Sequence, residues 1–279
     1  ANPPSLLVPR YLHDQGVSRV IAPLPTSDGR LWIGVGAYDL IVYPFVDAVT
    51  AMDHGMTAGQ WREYGHIFRQ IHDVTVPAGL AGSMRRETFI PYMADPVRRI
   101  EAHFAAQQPG DPISSELAQL WRQHHDQIFT ALERAETLGK QLAAADLPFV
   151  LCHADCHTGN ILLDSQGEVW VVDWDETMLA PKERDVMFAV GGGIYRGWVS
   201  TANERDFLEG YGDAEIDPQA LAYYRYAWVV SDIGEYASAV LFRDDLGEFT
   251  RRESLQGFRN QFAPGAIVEI AFASDNAHR

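Results

Sequence analysis

One stretch, residues 149–175 (FVLCHADCHTGNILLDSQGEVWVVDWD), restricts the architecture more than any other part of this 279-residue chain. Three short apolar runs lie within it: Phe149–Cys152, Ile161–Leu163 and Val169–Trp174. The turn Asp164-Ser165-Gln166-Gly167 separates the last two, which read as a hairpin. On both sides the pattern is helical. Thr57–Asp73 opens on a Thr cap and carries Trp61, Tyr64, Ile67, Phe68 and Ile71 as one stripe. Residues 113–146 hold a long periodic pattern with room for a break, and Gln219–Phe242 is the strongest helical segment. The opening differs. A helix over Ser5–Gln15 stops at Gly16, an apolar run Val20–Leu24 is closed by prolines, and Leu31–Val35 and Tyr38–Phe45 fold back at Gly36. Short strands set among long helices predict an α+β fold, with the change of character near Pro44–Ala48.

Composition narrows the function classes. With 47% hydrophobic and 22% charged residues the chain is an ordinary globular protein, and its length suits one large domain or two small ones. No apolar run reaches the roughly 18 residues of a membrane span. The N-terminal ANPPSLLVPR lacks a signal-peptide layout, so a cytoplasmic protein without membrane contact is expected. A net charge of −16 argues against nucleic acid, which wants a basic stripe, and suits either a cationic ligand or simple solubility. Cys152 and Cys156 are the only cysteines, too few for a disulfide framework.

Within 149–175, His153 is followed by Asp155 two positions on, Asn160 five further, and Asp173 thirteen beyond that. An apolar strand ending in His-x-Asp, a turn with Asn, and a hairpin delivering a second Asp match the phosphoryl-transfer template. In that template one Asp accepts the hydroxyl proton, while the Asn and the second Asp hold Mg²⁺. The residue types fit the chemistry, because Mg²⁺ is hard and prefers carboxylate and amide oxygens to imidazole. Asp155 can serve at neutral pH despite its low intrinsic pKa, since it mainly orients the hydroxyl and takes the proton late.

Here the sequence resembles the aminoglycoside phosphotransferase family, within the protein-kinase-like fold. The H-G-D-x-H-x-x-N loop of that family corresponds to His153-Ala154-Asp155-Cys156-His157-Thr158-Gly159-Asn160, and its I-D-x-(D/E) strand to Val172-Asp173-Trp174-Asp175. Leu40–Asp47, the helix ending in Ile71-His72, Ala180–Val186 and Phe262–Gly265 look most like the spectinomycin-phosphotransferase branch. The resemblance implies a two-lobed fold: residues 1–45 as the remnant of a truncated N-lobe, and 46–279 as a mostly helical C-lobe. It makes Asp155 the catalytic base, His153 a brace of the loop, Asn160 and Asp173 the Mg²⁺ ligands, and Asp185 a buttress from behind. Tyr43, Pro44, Phe45 and Val46 become the hinge, with the Pro44 carbonyl and Val46 amide facing adenine, and Leu162 and Val172 the floor under the purine. ATP (or GTP) and Mg²⁺ are the implied cofactors, and a monomer or weak dimer the implied state. Two departures stand out. Ala154 replaces a Gly, a small change provided the backbone there is not at positive φ. No Gly-rich phosphate loop or nucleotide-binding Lys is visible, since Lys140 and Lys182, the only lysines, both follow the hinge. The expectation is a fragment lacking roughly the first 50–60 residues of the family's domain, or else a genuinely truncated protein, and in either case poor ATP binding by the chain as it stands.

Other motifs have plainer readings. The spacing in Cys152–His157 departs from haem attachment, and alternate residues of a strand face opposite ways, so the cysteines read as buried filler. His124-His125 reads as a solvated helix pair and His72 as a partner of its helix dipole. Tyr223, Tyr224, Tyr226 and Trp228 read as core, and Gly191-Gly192-Gly193 does not follow a strand as a phosphate loop would. Asp175, Glu176, Asp232 and Glu235 are either grips for a cationic substrate or surface acids. The expected function is phosphorylation of a hydroxyl on a small, cationic aminoglycoside or aminocyclitol antibiotic of spectinomycin type, giving resistance. The alternatives are a metabolic kinase for a choline-, homoserine- or sugar-like molecule, and a non-catalytic pseudokinase.

Overall fold

The computed structural model describes residues 3–275. Helix α1 (Pro3–Asp14) ends as the sequence predicts: Gly16 takes φ 91° and the Val17 amide returns to the Leu12 carbonyl at 3.0 Å. The hairpin at Gly36 forms, but shorter. Strands β1 (Ile33–Val35) and β2 (Tyr38–Leu40) pair antiparallel, and residues 41–47 are irregular, since Pro44 has no N–H for a ladder. The Val20–Leu24 run is not a sheet strand; Val20 makes a single bridge to Val171.

Two three-stranded sheets support the central segment. In the first, β3 (Ala48–Thr50), β6 (Ile161–Asp164) and β7 (Val169–Val171) lie antiparallel with β6 in the middle. In the second, β8 (Met178–Ala180) pairs antiparallel with β5 (Val150–Cys152) and parallel with β4 (Arg85–Arg86). The predicted Val169–Trp174 strand stops at Val171, because Asp173 takes φ 65°, which no strand accommodates. Short helices α2 (Ala51–His54), α4 (Ala78–Ala81) and α7 (Glu183–Val186) link these strands.

The chain divides into two compact units. The first takes residues up to 87, 147–193 and 198–215. Its helical core is the pair α3 (Ala58–Asp73) and α8 (Thr201–Tyr211). Thr57 caps α3 in a reciprocal box with Gln60, as the sequence predicts. The pair meets at glycines: a Cβ on Gly65 would overlap the Phe207 carbonyl, and one on Gly210 the Arg62 carbonyl. The second unit takes 88–146, 194–197 and residues from 216 on. There α9 (Pro218–Phe242) is buried on most of its circumference, with α5 (Ala94–Ala106), α6 (Pro112–Ala143), α10 (Glu248–Asn260) and α11 (Ile267–Ser274) packed around it. Helix α6 has no break; its polar middle faces outward, where His124 stacks on Phe262 at 3.9 Å.

Candidate active site

Strand β5 delivers His153, Ala154 and Asp155 into a loop closed by a 3-10 turn, Thr158–Asn160. Its backbone is held at both ends by buried side chains. The amides of His153 and Ala154 donate to the two oxygens of Asp185, at 2.9 and 2.7 Å, and the Tyr64 hydroxyl donates to the Cys156 carbonyl at 2.6 Å. Ala154 has φ 70°, so the condition under which its replacement of Gly would be small is not met.

The Asp155 carboxyl is fixed by its neighbours. Asn160 Nδ2 donates to the Asp155 carbonyl at 2.8 Å and to its Oδ2 at 3.2 Å. The carbonyl can only accept, so the amide must present its nitrogen there, which leaves Asn160 Oδ1 free for another partner. His157 Nδ1 accepts the Gly159 amide, and its Nε2 lies 3.7 Å from Asp155 Oδ1. The metal-strand segment is tied to this loop twice: His153 Nε2 meets the Val172 carbonyl at 2.8 Å, and the Val172 amide donates to the Asn160 carbonyl at 3.1 Å. Asp173 follows directly, with an exposed side chain, while Trp174 turns inward against His153. Ala154 and Asp173 are two of the three non-Gly residues at positive φ among the described residues. Strain of this kind, about 1–2 kcal/mol each, persists where surrounding structure over-determines the backbone.

Electrostatics single out Asp155. Burial pushes its carboxyl up to about 7, the Arg184 guanidinium opposes that shift, and the Asp173 and Glu176 carboxylates add to it. Burial holds His153 and His157 below the ordinary imidazole range, so both are neutral at pH 7. A hard divalent ion fits the donors present: the Asp173 carboxylate and Asn160 Oδ1 accept no hydrogen bond from a described residue and are oxygen ligands.

The other expected site residues are in different settings. Tyr43 lines a cavity of about 320 Å³ with Ile21, Val172, Asp173, Trp174 and Asp175, and burial and both acids push its hydroxyl up. Pro44 and Phe45 are exposed, Phe45 almost completely at 91%, and Val46 and Leu162 are half-buried. Glu176 is in an ion pair with Arg85 at 2.7 Å, whereas Asp175 is exposed beside the cavity. Asp232 and Glu235 lie on α9, in the second unit, where their charge acts on Tyr236. Tyr223, Tyr224 and Tyr226 are core, as expected, and both cysteines are buried free thiols.

His72 lies in the last turn of α3, as expected of a dipole partner, but it is also buried, with Nε2 3.0 Å from Asp185 Oδ2 and Nδ1 2.6 Å from the Tyr211 hydroxyl, contacts the sequence reading does not foresee. Sequence reasoning places Tyr64 in the apolar stripe and is silent on Tyr211; for Tyr64 the available signal is a hydroxyl on an otherwise apolar helix stripe.

Comparison with known proteins gives the family. The chain is 26% identical over 233 residues to Protein StrN of Streptomyces griseus, a match covering 81% of this chain and 66% of StrN, just under two thirds. A spectinomycin phosphotransferase, APH(9)-Ia, solved in complex with ADP and spectinomycin, is 34% identical with a TM-score of 0.91, over 98% of this chain and 83% of that one. A choline/ethanolamine kinase family protein from Mesorhizobium loti shares the fold at 16% identity and a TM-score of 0.57, over 98% and 84%. Residues 8–227 match the Phosphotransferase enzyme family, and the chain belongs to that family.

Proposed function

We propose that this protein transfers a phosphoryl group from ATP to a hydroxyl of a small, cationic aminocyclitol or aminoglycoside antibiotic, and so confers resistance. The observation that carries this reading is the Asp155 carboxyl, held by Asn160 at 3.2 Å in a loop that is itself tied to the Asp173 segment. Asp155 would orient the acceptor hydroxyl and take its proton on Oδ1 or Oδ2 as the new O–P bond forms and the bond from the γ-phosphorus to the bridging oxygen breaks, ADP leaving. His153 and Asn160 hold the loop, and Asn160 Oδ1 with Asp173 would hold Mg²⁺. Bound there, the ion supplies positive charge against the phosphates. Tyr43, Pro44, Phe45 and Val46 would border the adenine, over Leu162 and Val172. Asp175, exposed beside the Tyr43 cavity, would meet a substrate ammonium. The spectinomycin complex of the 34%-identical neighbour supports the substrate class.

Asp155→Asn should lower kcat about 10²–10⁴-fold while sparing nucleotide affinity, and Asp173→Ala should weaken Mg²⁺-nucleotide binding as well. The measurement is nucleotide consumption, with ATP and with GTP, across aminocyclitols, aminoglycosides, choline, ethanolamine and sugars. Turnover confined to choline or ethanolamine would replace the antibiotic reading with that of a metabolic kinase. Full turnover by Asp155→Asn would remove Asp155 as the base.

A further inference from the structure

Asp185 is an ionised carboxylate with no exposed side-chain surface, and such a charge is tolerated only where hydrogen bonds replace water. Two of those bonds come from the His153 and Ala154 amides, the second belonging to the residue at φ 70°. The third comes from His72, whose side chain is 3% exposed. Asp185 Oδ2 can only accept, so His72 Nε2 carries the proton, and Nδ1 is left to the Tyr211 hydroxyl at 2.6 Å. Tyr211 reaches this position because Gly210, its neighbour, lets α8 lie directly on α3.

We propose that His72 and Tyr211 are positioning residues that hold the strained turn of the catalytic loop through Asp185, and thereby set the placement of Asp155. The kinetic part of this inference rests on the phosphotransferase reading; the structural part does not. Ala154 is held against a backbone penalty of about 1–2 kcal/mol, so the turn keeps its shape only while Asp185 keeps its orientation. A carboxylate on a short side chain can rotate about χ2 once it loses a partner. His72 Nε2 removes that freedom, and Tyr211 fixes the imidazole ring in turn, as outer-shell partners do for ligating histidines.

One rival uses the same atoms. His72, Cys152 and Asp185 offer ligand atoms all within 4.8 Å of one another, which suggests a buried metal. Both ring nitrogens of His72 are already engaged, and Cys152 Sγ directs its proton to the carbonyls of Ala180 and Pro181, each at 3.6 Å. Burial pushes that thiol well up, so it keeps the proton a metal would displace.

The test combines kinetics with amide hydrogen exchange at residues 153–156, using His72→Phe, His72→Gln and Tyr211→Phe in the full chain. Phe keeps the ring and packing without a donor, and Gln restores an N–H near the Nε2 position. His72→Phe should lower kcat about 10–100-fold with KM for nucleotide nearly unchanged, and His72→Gln should recover most of it. Tyr211→Phe should cost a smaller factor in kcat. Exchange at residues 153 and 154 should speed up at least tenfold in His72→Phe and return toward the wild-type rate in His72→Gln. Unchanged exchange and kcat in a folded His72→Phe would overturn the inference. So would a fall in apparent kcat that only tracks the folded fraction, or one equivalent of zinc lost on substitution. A wild-type protein silent toward every acceptor would sink the phosphotransferase reading alone, because the exchange experiment needs no turnover.

Discussion

Ala154 sits where a glycine would meet no Cβ penalty, yet its methyl is buried beside Cys152 and Ala180. Ala154→Gly would relieve about 1–2 kcal/mol of backbone strain, lose about 0.8 kcal/mol of buried methyl and add about 0.5–1 kcal/mol of unfolded-chain entropy. These nearly cancel, so urea denaturation should find a stability change within about 1 kcal/mol; a change beyond that would show that one of the three dominates. Asp155 makes a sharper prediction. Its folded pKa of about 7 lies above the unfolded value near 3.9, so the charged form is disfavoured by folding. Its contribution to stability is complete below pH ~4 and is lost as pH rises through about 7. Metal-free Asp155→Asn should therefore melt above wild type at pH 8, with the gap closing at pH 4, as followed by calorimetry; equal gaps at both pH values would remove the burial argument. The loop was legible at this scale because proton transfer and Mg²⁺ demand particular side chains at fixed spacing. The φ of Ala154 was not, since a strained backbone leaves no mark on residue type.

Among the elements, the α3–α8 contact has the narrowest tolerance. Gly210→Ala would push a methyl into the Arg62 carbonyl and force the two helices apart. Overpacking of this kind costs about 1–3 kcal/mol, and displacing α8 would also carry Tyr211 away from His72. Both a lower Tm and a lower kcat are expected, and a full-activity variant of wild-type Tm would contradict the close approach. In the second unit, the α6 N-cap Asp111 accepts from the Ile113 and Ser114 amides and pairs with Arg251 at 2.9 Å. Burial opposes its charge, but bonds from Arg251 and Ser114 outweigh it and hold the carboxyl well below its usual range. Asp111→Ala should cost about 0.5–2 kcal/mol at pH 7, the ordinary worth of a cap, and less at a pH where Asp111 is protonated, since only the charge-dependent part is lost. Denaturant midpoints at pH 7 and at strongly acid pH would check this. Elements with caps and unbroken stripes, such as Thr57 ahead of α3, could be read locally. The 113–146 pattern needs no break, because its polar run Arg122–Gln127 is a solvent face of α6. The partner of His72 could not be read at all, for Asp185 lies 113 residues away.

For the molecule as a whole, charge decides how an anionic ligand can arrive. The net charge is −16, and Asp155, Asp173, Asp175 and Glu176 crowd one short segment, so a bare nucleoside triphosphate would meet repulsion at the proposed site. A divalent cation held by Asp173 and Asn160 would reverse that sign locally, and nucleotide binding would then depend on the metal. Linkage then gives the magnitude: at a ligand concentration 100-fold above Kd, stabilisation is about 2.7 kcal/mol. Thermal unfolding with Mg²⁺ and ATP together should show a Tm rise of a few degrees, whereas ATP in excess EDTA should leave Tm unchanged. Raising salt should weaken any metal-independent repulsion and barely affect the metal-bridged complex, because the bridged contacts are shorter than the screening length of about 10 Å at 0.1 M. An ATP-induced shift of the same size with EDTA present would mean that cationic side chains, and not a metal on Asp173, neutralise the phosphates.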